Sequence, residues 1–286
     1  MLSYIKLGVI VGALCLSGLV GTAQADPVSD RIYPAPREAL SLAGLPAQAQ
    51  LVSVTTSDGL ELNGITVAGR NDMPTLLFFH GNSSSAADAV QWMAPAIAAG
   101  FGVMAAEYRG YSGNPGRPTA RGLASDADAF LSLARKSGGP VWIVGHSLGG
   151  GVALNLASRQ PASAVVTIGT FTRLRDMTSG LARAVVPDDY RNRDIVGGLT
   201  IPYYVVHGLV DDVVPLSHGE TLHSVASSTN RTGASFVLLG ADHRPDGDAL
   251  AEILEVIRGG NLRSGAARLP GTTKVIPFGV SAPLNP

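Results

Sequence analysis

The chain of 286 residues contains a single cysteine, Cys15, which excludes a framework of intrachain disulfides and any zinc site built from cysteine thiolates. Charged residues make up only 15% of it, and 21 Lys+Arg against 22 Asp+Glu leave a net charge of −1. There is therefore no broad basic surface for nucleic acid. Because 45% of the residues are apolar, the chain is not intrinsically disordered and has enough apolar residues to bury a substantial core.

The first 25 residues differ from the rest of the chain. Lys6 precedes an apolar run, Leu7–Val20, and the small-residue triplet Ala23-Gln24-Ala25 follows. This pattern predicts a cleavable secretory signal over residues 1–25, with cleavage before Asp26 and export to the periplasm or the cell exterior. After cleavage no membrane span is expected. The alternative is an uncleaved N-terminal segment that anchors the protein in a membrane.

The remaining sequence alternates between short apolar runs and helix-like segments, the pattern of a mostly parallel sheet covered by helices. The two runs that flank Ser57-Asp58-Gly59 predict an opening β-hairpin over Leu51–Thr56 and Leu60–Val67. Further strands are predicted over Thr75–Phe79, Gly102–Ala106, Val141–Val144, Ala164–Ile168, Tyr203–Val206 and Ser235–Leu239. Helices are predicted over Ala86–Ala99, Thr119–Lys136, Leu148–Arg159, Ser217–Ala226 and Pro245–Arg258.

No linker divides the sequence after the signal, so one domain is expected over residues 26–258, with an irregular lead-in over 26–50. Residues 259–286 are rich in Gly and Pro and predict a loosely structured tail. Between Ile168 and Ile201 only about 30 residues intervene, which leaves room for one or two helices and predicts a minimal lid over an open pocket. The arginines of this insert either form a solvated face or attract an anionic acyl substrate: Arg173, Arg175, Arg183, Arg191 and Arg193.

The pentapeptide Gly145-His146-Ser147-Leu148-Gly149 is the strongest chemical signal in the chain. A G-x-S-x-G match is weak by itself, and an ordinary glycine-rich turn is the alternative. Here a predicted strand precedes the match and a predicted helix follows it, which is the setting in which a serine projects its hydroxyl from a strained turn. The pattern predicts Ser147 as a nucleophile.

A serine hydroxyl needs an imidazole to remove its proton and a carboxylate to orient that imidazole. In this strand–turn–helix setting the chain order is serine, then acid, then histidine. The strand that ends at Val206 is followed by Asp211 and Asp212, and the last predicted strand is followed by Asp242 and His243. We expect Asp211 as the acid in preference to Asp212, and His243 as the base, because these groups follow neighbouring strand ends.

The other five histidines are interpreted as structural. His80 and His207 each precede a glycine at a strand end, which is typical of buried hydrogen-bonding side chains. His146 adjoins the serine and is expected to point elsewhere. His218 and His223 fall within a predicted helix, where exposure to solvent is the expectation.

Acyl transfer also needs donors for the oxyanion of the tetrahedral intermediate. One candidate is the backbone N–H of Leu148, at the positive end of its predicted helix. The other is the backbone N–H of Asn82, because Gly81 and the small polar residues after it would let this loop approach the serine closely. For Asn82 a plain turn before the helix is the alternative.

Several segments together resemble the serine hydrolases of the α/β-hydrolase fold, and within them the Bem46-like group of acyl esterases and thioesterases. They are Phe78–Asn82, Glu107–Gly113, the Gly116–Ala129 stretch, Gly145–Gly150, His207-Gly208 through Val214-Pro215, and Gly240–His243. The resemblance spans about residues 45–257 and implies Ser147, Asp211 and His243 as the triad, with the N–H groups of Asn82 and Leu148 as the oxyanion hole. Two positions depart from the family pattern: Glu107 stands where Asp is usual, and Asp242 where Gly is usual.

These observations predict an exported serine hydrolase that cleaves small-molecule carboxylic esters or thioesters through an acyl-enzyme on Ser147. No metal or organic cofactor is implied, because protein groups supply both nucleophile and base. Two alternatives stay open: an amidase or peptidase with the same triad, and a catalytically inactive binding module on the same fold.

Overall fold

The computed structural model describes residues 27–36, 38–178, 186, 190–229, 232–262, 265, 269–280 and 284. The secretory signal predicted over residues 1–25 lies outside these ranges. Within them, no helix is both long enough and apolar enough to cross a membrane.

The described residues form one nine-stranded sheet in the order β1-β2-β4-β3-β5-β6-β7-β8-β9. Pairing is parallel from β4 through β3 to β8, whereas β1, β2 and β9 pair antiparallel to their neighbours. The strands are β1 (Gln50–Thr55), β2 (Glu61–Val67), β3 (Thr75–Phe79), β4 (Gly102–Ala106), β5 (Val141–His146), β6 (Ala164–Ile168), β7 (Tyr203–Gly208), β8 (Gly233–Leu238) and β9 (Thr273–Pro277). The predicted hairpin and the six later predicted strands are therefore all present.

Helices precede and connect these strands. They are α1 (Pro27–Ile32), α2 (Ala86–Trp92), α3 (Ala94–Ala98), α4 (Ala120–Ala134), α5 (Leu148–Ala157), α6 (Asn192–Gly198), α7 (Leu216–Thr229) and α8 (Gly247–Arg258), with short 3-10 turns over Arg135–Ser137 and Leu174–Met177. The single helix predicted over Ala86–Ala99 is wrong at Met93, where α2 ends and α3 begins. Pro95 explains the break, since it lacks an N–H and its ring clashes with the preceding turn.

The core lies on both faces of the sheet. Along β3, Leu77 and Phe79 pack on one face, with α4, α5 and α7, while Leu76 and Phe78 pack on the other, with α2, α3 and α8. Every residue of β4 to β8 is buried, which is why these strands appear in the sequence as continuous apolar runs instead of alternating ones. The parallel strands end at one rim, and loops from that rim carry the candidate site.

The prediction of a loosely structured tail over residues 259–286 is wrong at β9, which pairs antiparallel with β8 from Ala234↔Pro277 to Leu238↔Thr273. Just after β9, Phe278 is 5% exposed, and its ring centroid lies 5.9 Å from that of Tyr203 and 5.4 Å from that of His223. A five-residue strand beside prolines carries little periodicity, so its pairing with β8 is not visible in the local sequence.

We predict that Phe278→Ala lowers the free energy of unfolding by about 3–5 kcal/mol, because it leaves a cavity in the core. Val280→Ala is the matched control, since Val280 is 48% exposed and its truncation is expected to change that free energy by less than about 0.5 kcal/mol. Urea denaturation of the two variants measures the difference. Equal stability of both would mean that the tail does not pack on the sheet.

Candidate active site

Ser147 stands between β5 and α5 with φ 54° and ψ −117°. Ser112 and Ser147 are the non-glycine residues with positive φ in the described ranges, and such conformations cost about 1–3 kcal/mol and concentrate at functional sites. The Ser147 N–H donates to the carbonyl of Ile168 at 2.9 Å, and the Ser147 carbonyl accepts from the N–H of Gly150 at 3.0 Å. The turn therefore has the strained geometry that the sequence pattern predicts.

Three glycines make this turn possible. A Cβ on Gly145 would collide with the backbone of Gly149, and one on Gly149 with the backbone of Phe79. A Cβ on Gly150 would collide with the side chain of Thr170. Close packing of α5 on the sheet excludes any larger residue at these positions.

The structure brings Asp211 and His243 together at the rim where β7 and β8 end. Nδ1–H of His243 donates to Oδ2 of Asp211 at 2.9 Å, and both residues are buried. Asp212, the neighbour that the sequence left as an alternative, is exposed. Gly169, the residue after Ile168, lies against both members of the pair: a Cβ there would be 3.1 Å from Nδ1 of His243 and 3.2 Å from Oδ2 of Asp211. The segment whose Ile168 carbonyl accepts the Ser147 N–H therefore also contacts the Asp211–His243 pair, through its next residue, Gly169.

The carboxylate of Asp211 is surrounded by donors. Its Oδ1 accepts the N–H groups of Val213 at 3.0 Å and Val214 at 2.8 Å, and Nε2 of His207 lies 3.4 Å from Oδ2. Burial alone would raise the pKa of Asp211, but the hydrogen bonds from His207, His243 and Val214 outweigh burial and lower that pKa well below its usual range. Asp211 is therefore ionised, and it holds the hydrogen of His243 on Nδ1.

His146 contacts the backbone of His243 and does not point away from the site as the sequence suggested. Its Nε2–H donates to the His243 carbonyl at 2.8 Å, and the centroids of the two histidine rings lie 4.7 Å apart. The Trp92 ring packs against His146 in a T-shaped arrangement, with ring centroids 5.0 Å apart. Burial is the main cause that lowers the pKa of His146 to about 3. The His146 ring is therefore neutral and carries one N–H, and this N–H donates to the His243 carbonyl.

Two of the remaining histidines agree with expectation and two do not. His80 and His207 are fully buried, with hydrogen bonds from Nε2 to Glu107 at 2.9 Å and to the carbonyl of Val214 at 2.8 Å. The predicted exposure is wrong for His223, which is buried with Nδ1 2.8 Å from Oγ of Ser235. It is also wrong for His218, which is half-buried and whose Nδ1 accepts from Thr172. Both histidines lie on α7, whose buried positions Gly219, Leu222, His223 and Ala226 recur at helical spacing.

The two candidate oxyanion donors belong to the start of α5 and to the loop between β3 and α2. Leu148 is the first residue of α5, where the helix offers its N–H no acceptor and presents its positive end. Asn82 lies in the loop between β3 and α2, and the preceding Gly81 packs against the serine, since a Cβ there would be 3.5 Å from Cβ of Ser147. Because Gly81 has no side chain, the backbone of this loop lies close to the turn that holds Ser147.

Arginines of the insert between β6 and β7 pair mainly within the insert. Arg173 and Arg191 contact the carboxylate of Asp194 at 3.0 and 2.8 Å, and Arg175 donates to the carbonyl of Val186 at 3.3 Å. Arg193 is exposed, and Arg183 lies outside the described residues. These contacts favour a solvated face over an anion site. Among the residues described, no three metal-ligating side chains are grouped in a way that would hold an ion.

Comparison with known proteins agrees with this architecture. A family model described as the alpha/beta hydrolase fold matches residues 74–188. An uncharacterized protein of Mycobacterium tuberculosis is 32% identical over 199 residues, which cover 65% of this chain and 70% of the relative. The lysophosphatidylserine lipase ABHD12 of Danio rerio is 28% identical over 183 residues, which cover 54% of this chain and 48% of the lipase.

A solved structure has the same fold. The esterase Pf2001 of Pyrococcus furiosus aligns with a TM-score of 0.61 at 18% identity, over 84% of this chain and 99% of the esterase. The expectation of a mostly parallel sheet flanked by helices is confirmed, whereas the resemblance to the Bem46-like group stays a prediction. The sequence match to the mycobacterial relative, the family model and the nine-stranded sheet agree, and the chain belongs to the α/β-hydrolase-fold family.

Proposed function

We propose that this protein is a serine hydrolase that cleaves small-molecule carboxylic esters or thioesters through an acyl-enzyme on Ser147. The observation that carries the proposal is the Asp211–His243 hydrogen bond at the rim where Ser147 stands in its strained turn. An ionised aspartate, an imidazole with its hydrogen on Nδ1 and a serine at a strand–helix turn are the groups that acyl transfer requires.

In the first half-reaction Nε2 of His243 accepts the Ser147 proton while Oγ attacks the substrate carbonyl. Asp211 stabilises the imidazolium that forms. The N–H groups of Asn82 and Leu148 bind the oxyanion of the tetrahedral intermediate. As the intermediate collapses, His243 gives its proton to the leaving alcohol or thiol, and the acyl group stays on Oγ.

In the second half-reaction a water molecule takes the place of the alcohol. His243 accepts a proton from that water as its oxygen attacks the acyl carbon, and the same two N–H groups bind the second oxyanion. Collapse breaks the bond between Oγ and the acyl carbon, and His243 returns the proton to Ser147. The products are a carboxylic acid and free enzyme, so protein groups and water account for every atom.

Esters are the proposed substrates because the named relatives act on them: one is a lipase and one solved neighbour is an esterase. Amide cleavage by the same triad is the alternative outcome of the tests below, as is an inactive binding module.

The test of the function is a panel of p-nitrophenyl esters of rising acyl length, assayed beside p-nitroanilides with the same acyl groups. We expect ester turnover that exceeds amide turnover for every acyl group, and a fall in kcat of at least about 10³-fold in Ser147→Ala. Faster turnover of the anilides would make the protein an amidase. No turnover of either series would favour the binding module.

The identity of the acid is tested by two neighbouring substitutions. Asp211→Asn is expected to lower kcat for the ester by about 10³-fold or more, because an amide favours the wrong imidazole tautomer and does not stabilise the imidazolium. Asp212→Asn is the matched control and is expected to lower kcat tenfold or less, about the effect of one lost turn hydrogen bond or neighbouring charge. Circular dichroism checks that both variants fold. The reverse result would move the assignment by one residue, and near-normal turnover in both would leave Asp242 as the next candidate.

We also propose that the protein is exported and loses residues 1–25. Ala23-Gln24-Ala25 is the small-x-small site that follows the apolar run, so the mature chain is expected to begin at Asp26. N-terminal sequencing of protein recovered outside the cytoplasm measures this directly. Intact Met1 on membrane-bound protein would support the uncleaved anchor instead.

A further inference from the structure

Three consecutive carbonyls in the loop between β3 and α2 each accept a hydrogen bond from a buried side chain. The Tyr108 hydroxyl donates to the carbonyl of His80 at 2.7 Å, and the Tyr111 hydroxyl donates to the carbonyl of Asn82 at 2.9 Å. Between them, Nδ1 of His80 donates to the carbonyl of Gly81 at 2.8 Å. These three side-chain donors, called here the carbonyl clamp, hold all three carbonyl oxygens toward the protein interior, and the Gly81 carbonyl also accepts a longer hydrogen bond from the N–H of Ser84 at 3.3 Å.

The central member of the clamp controls the direction of the candidate oxyanion donor. The Gly81 carbonyl and the Asn82 N–H belong to the same peptide plane, and no cis peptide bond occurs in the described ranges. In a trans peptide the C=O and N–H vectors point in opposite directions. Holding the Gly81 carbonyl inward therefore turns the Asn82 N–H outward, and the Gly81 backbone lies beside Cβ of Ser147.

Glu107 contacts the ring nitrogen of His80 that the Gly81 carbonyl does not. A carbonyl only accepts, so Nδ1 of His80 carries a hydrogen. Its Nε2 faces Oε1 of Glu107 at 2.9 Å, and both side chains are 1% exposed or less. The Glu107 carboxyl also accepts the N–H of Ala86 at 2.9 Å and of Tyr108 at 3.2 Å. One proton therefore lies between Nε2 and Oε1, and the carboxyl joins His80 to the start of α2.

We propose that His80, oriented by Glu107, is a positioning residue for the oxyanion hole: it aims the Asn82 N–H at the oxyanion through the Gly81 carbonyl. The inference deepens the proposed function and rests on it. It also gives a role to Glu107, one of the two positions at which the sequence departs from the family pattern. The clamp contributes to both half-reactions, because each passes through a tetrahedral oxyanion.

His80→Leu and His80→Asn are a matched pair of variants that tests the proposal. The two side chains have the same branching and similar size, and both leave Glu107 without its imidazole. Asn carries a donor near the position of Nδ1, whereas Leu carries none. We expect His80→Leu to lower kcat for a p-nitrophenyl ester by about 10²–10³-fold, the loss measured for one oxyanion donor. His80→Asn is expected to stay within about tenfold of the wild type, with KM little changed in either variant.

Two further measurements separate positioning from folding. Titration with a fluorophosphonate counts the competent sites, so rates are expressed per reactive serine. A trifluoromethyl ketone with the same acyl chain forms a tetrahedral oxyanion on the serine, and its inhibition constant is expected to rise in His80→Leu by the factor that kcat/KM falls. Equal rates per site and equal inhibition constants in the Leu and Asn variants would overturn the proposal.

If the His80 variants do not fold, Tyr111→Phe provides a second test of the clamp, because this substitution removes one donor and keeps the aromatic ring. We expect it to raise the inhibition constant of the ketone by about threefold or more, in line with the loss of one neutral hydrogen bond. An unchanged constant would overturn the clamp.

If the wild type neither turns over esters nor reacts with the fluorophosphonate, the proposed function and the clamp proposal are both overturned. An active wild type with indistinguishable variants overturns the clamp alone.

Discussion

The backbone of Ser147 is the constraint on which the site depends. Its φ of 54° is unfavourable for a serine and persists because the surroundings hold it: the N–H is bound to the Ile168 carbonyl of β6, and α5 begins at the next residue. That start of α5 is possible because Gly145 and Gly149 carry no side chains. In this conformation Ser147 lies at the rim of the sheet, beside Gly81 of the loop after β3 and bound to Ile168 at the end of β6.

Around this turn, three buried carboxyl groups have hydrogen-bond partners. Asp211 accepts from two backbone amides and from His243, and Glu107 accepts from two backbone amides and faces His80. Asp126, also buried, accepts from the N–H and Nε of Arg109. Each carboxyl ties a loop at the rim to another part of the chain, so breaking one contact would leave a buried polar group unpaired. Such contacts hold the loops at this rim in place.

The sequence was informative where one local pattern determined the structure. Strands buried on both faces are mainly apolar, so the predicted limits of Thr75–Phe79, Gly102–Ala106 and Ala164–Ile168 agree with the structure, and the other three buried strands differ from it by one or two residues at one or both ends. The acid and base candidates were found because chain order and strand ends restrict them, and Asp211 and His243 do meet. The elements that were missed depend on contacts between distant segments: β9 needs β8 to pair with, and His223 is buried against Ser235. The two tyrosine contacts of the carbonyl clamp join residues 28 and 29 positions apart, and no local spacing indicates them.

The central claim is that Ser147 is the nucleophile. It is tested most directly by reaction of the intact protein with a fluorophosphonate, followed by mass spectrometry of its peptides. The account predicts one adduct per chain, located on Ser147 and absent from Ser147→Ala. An adduct on another residue, or labelling that persists in Ser147→Ala, would contradict it.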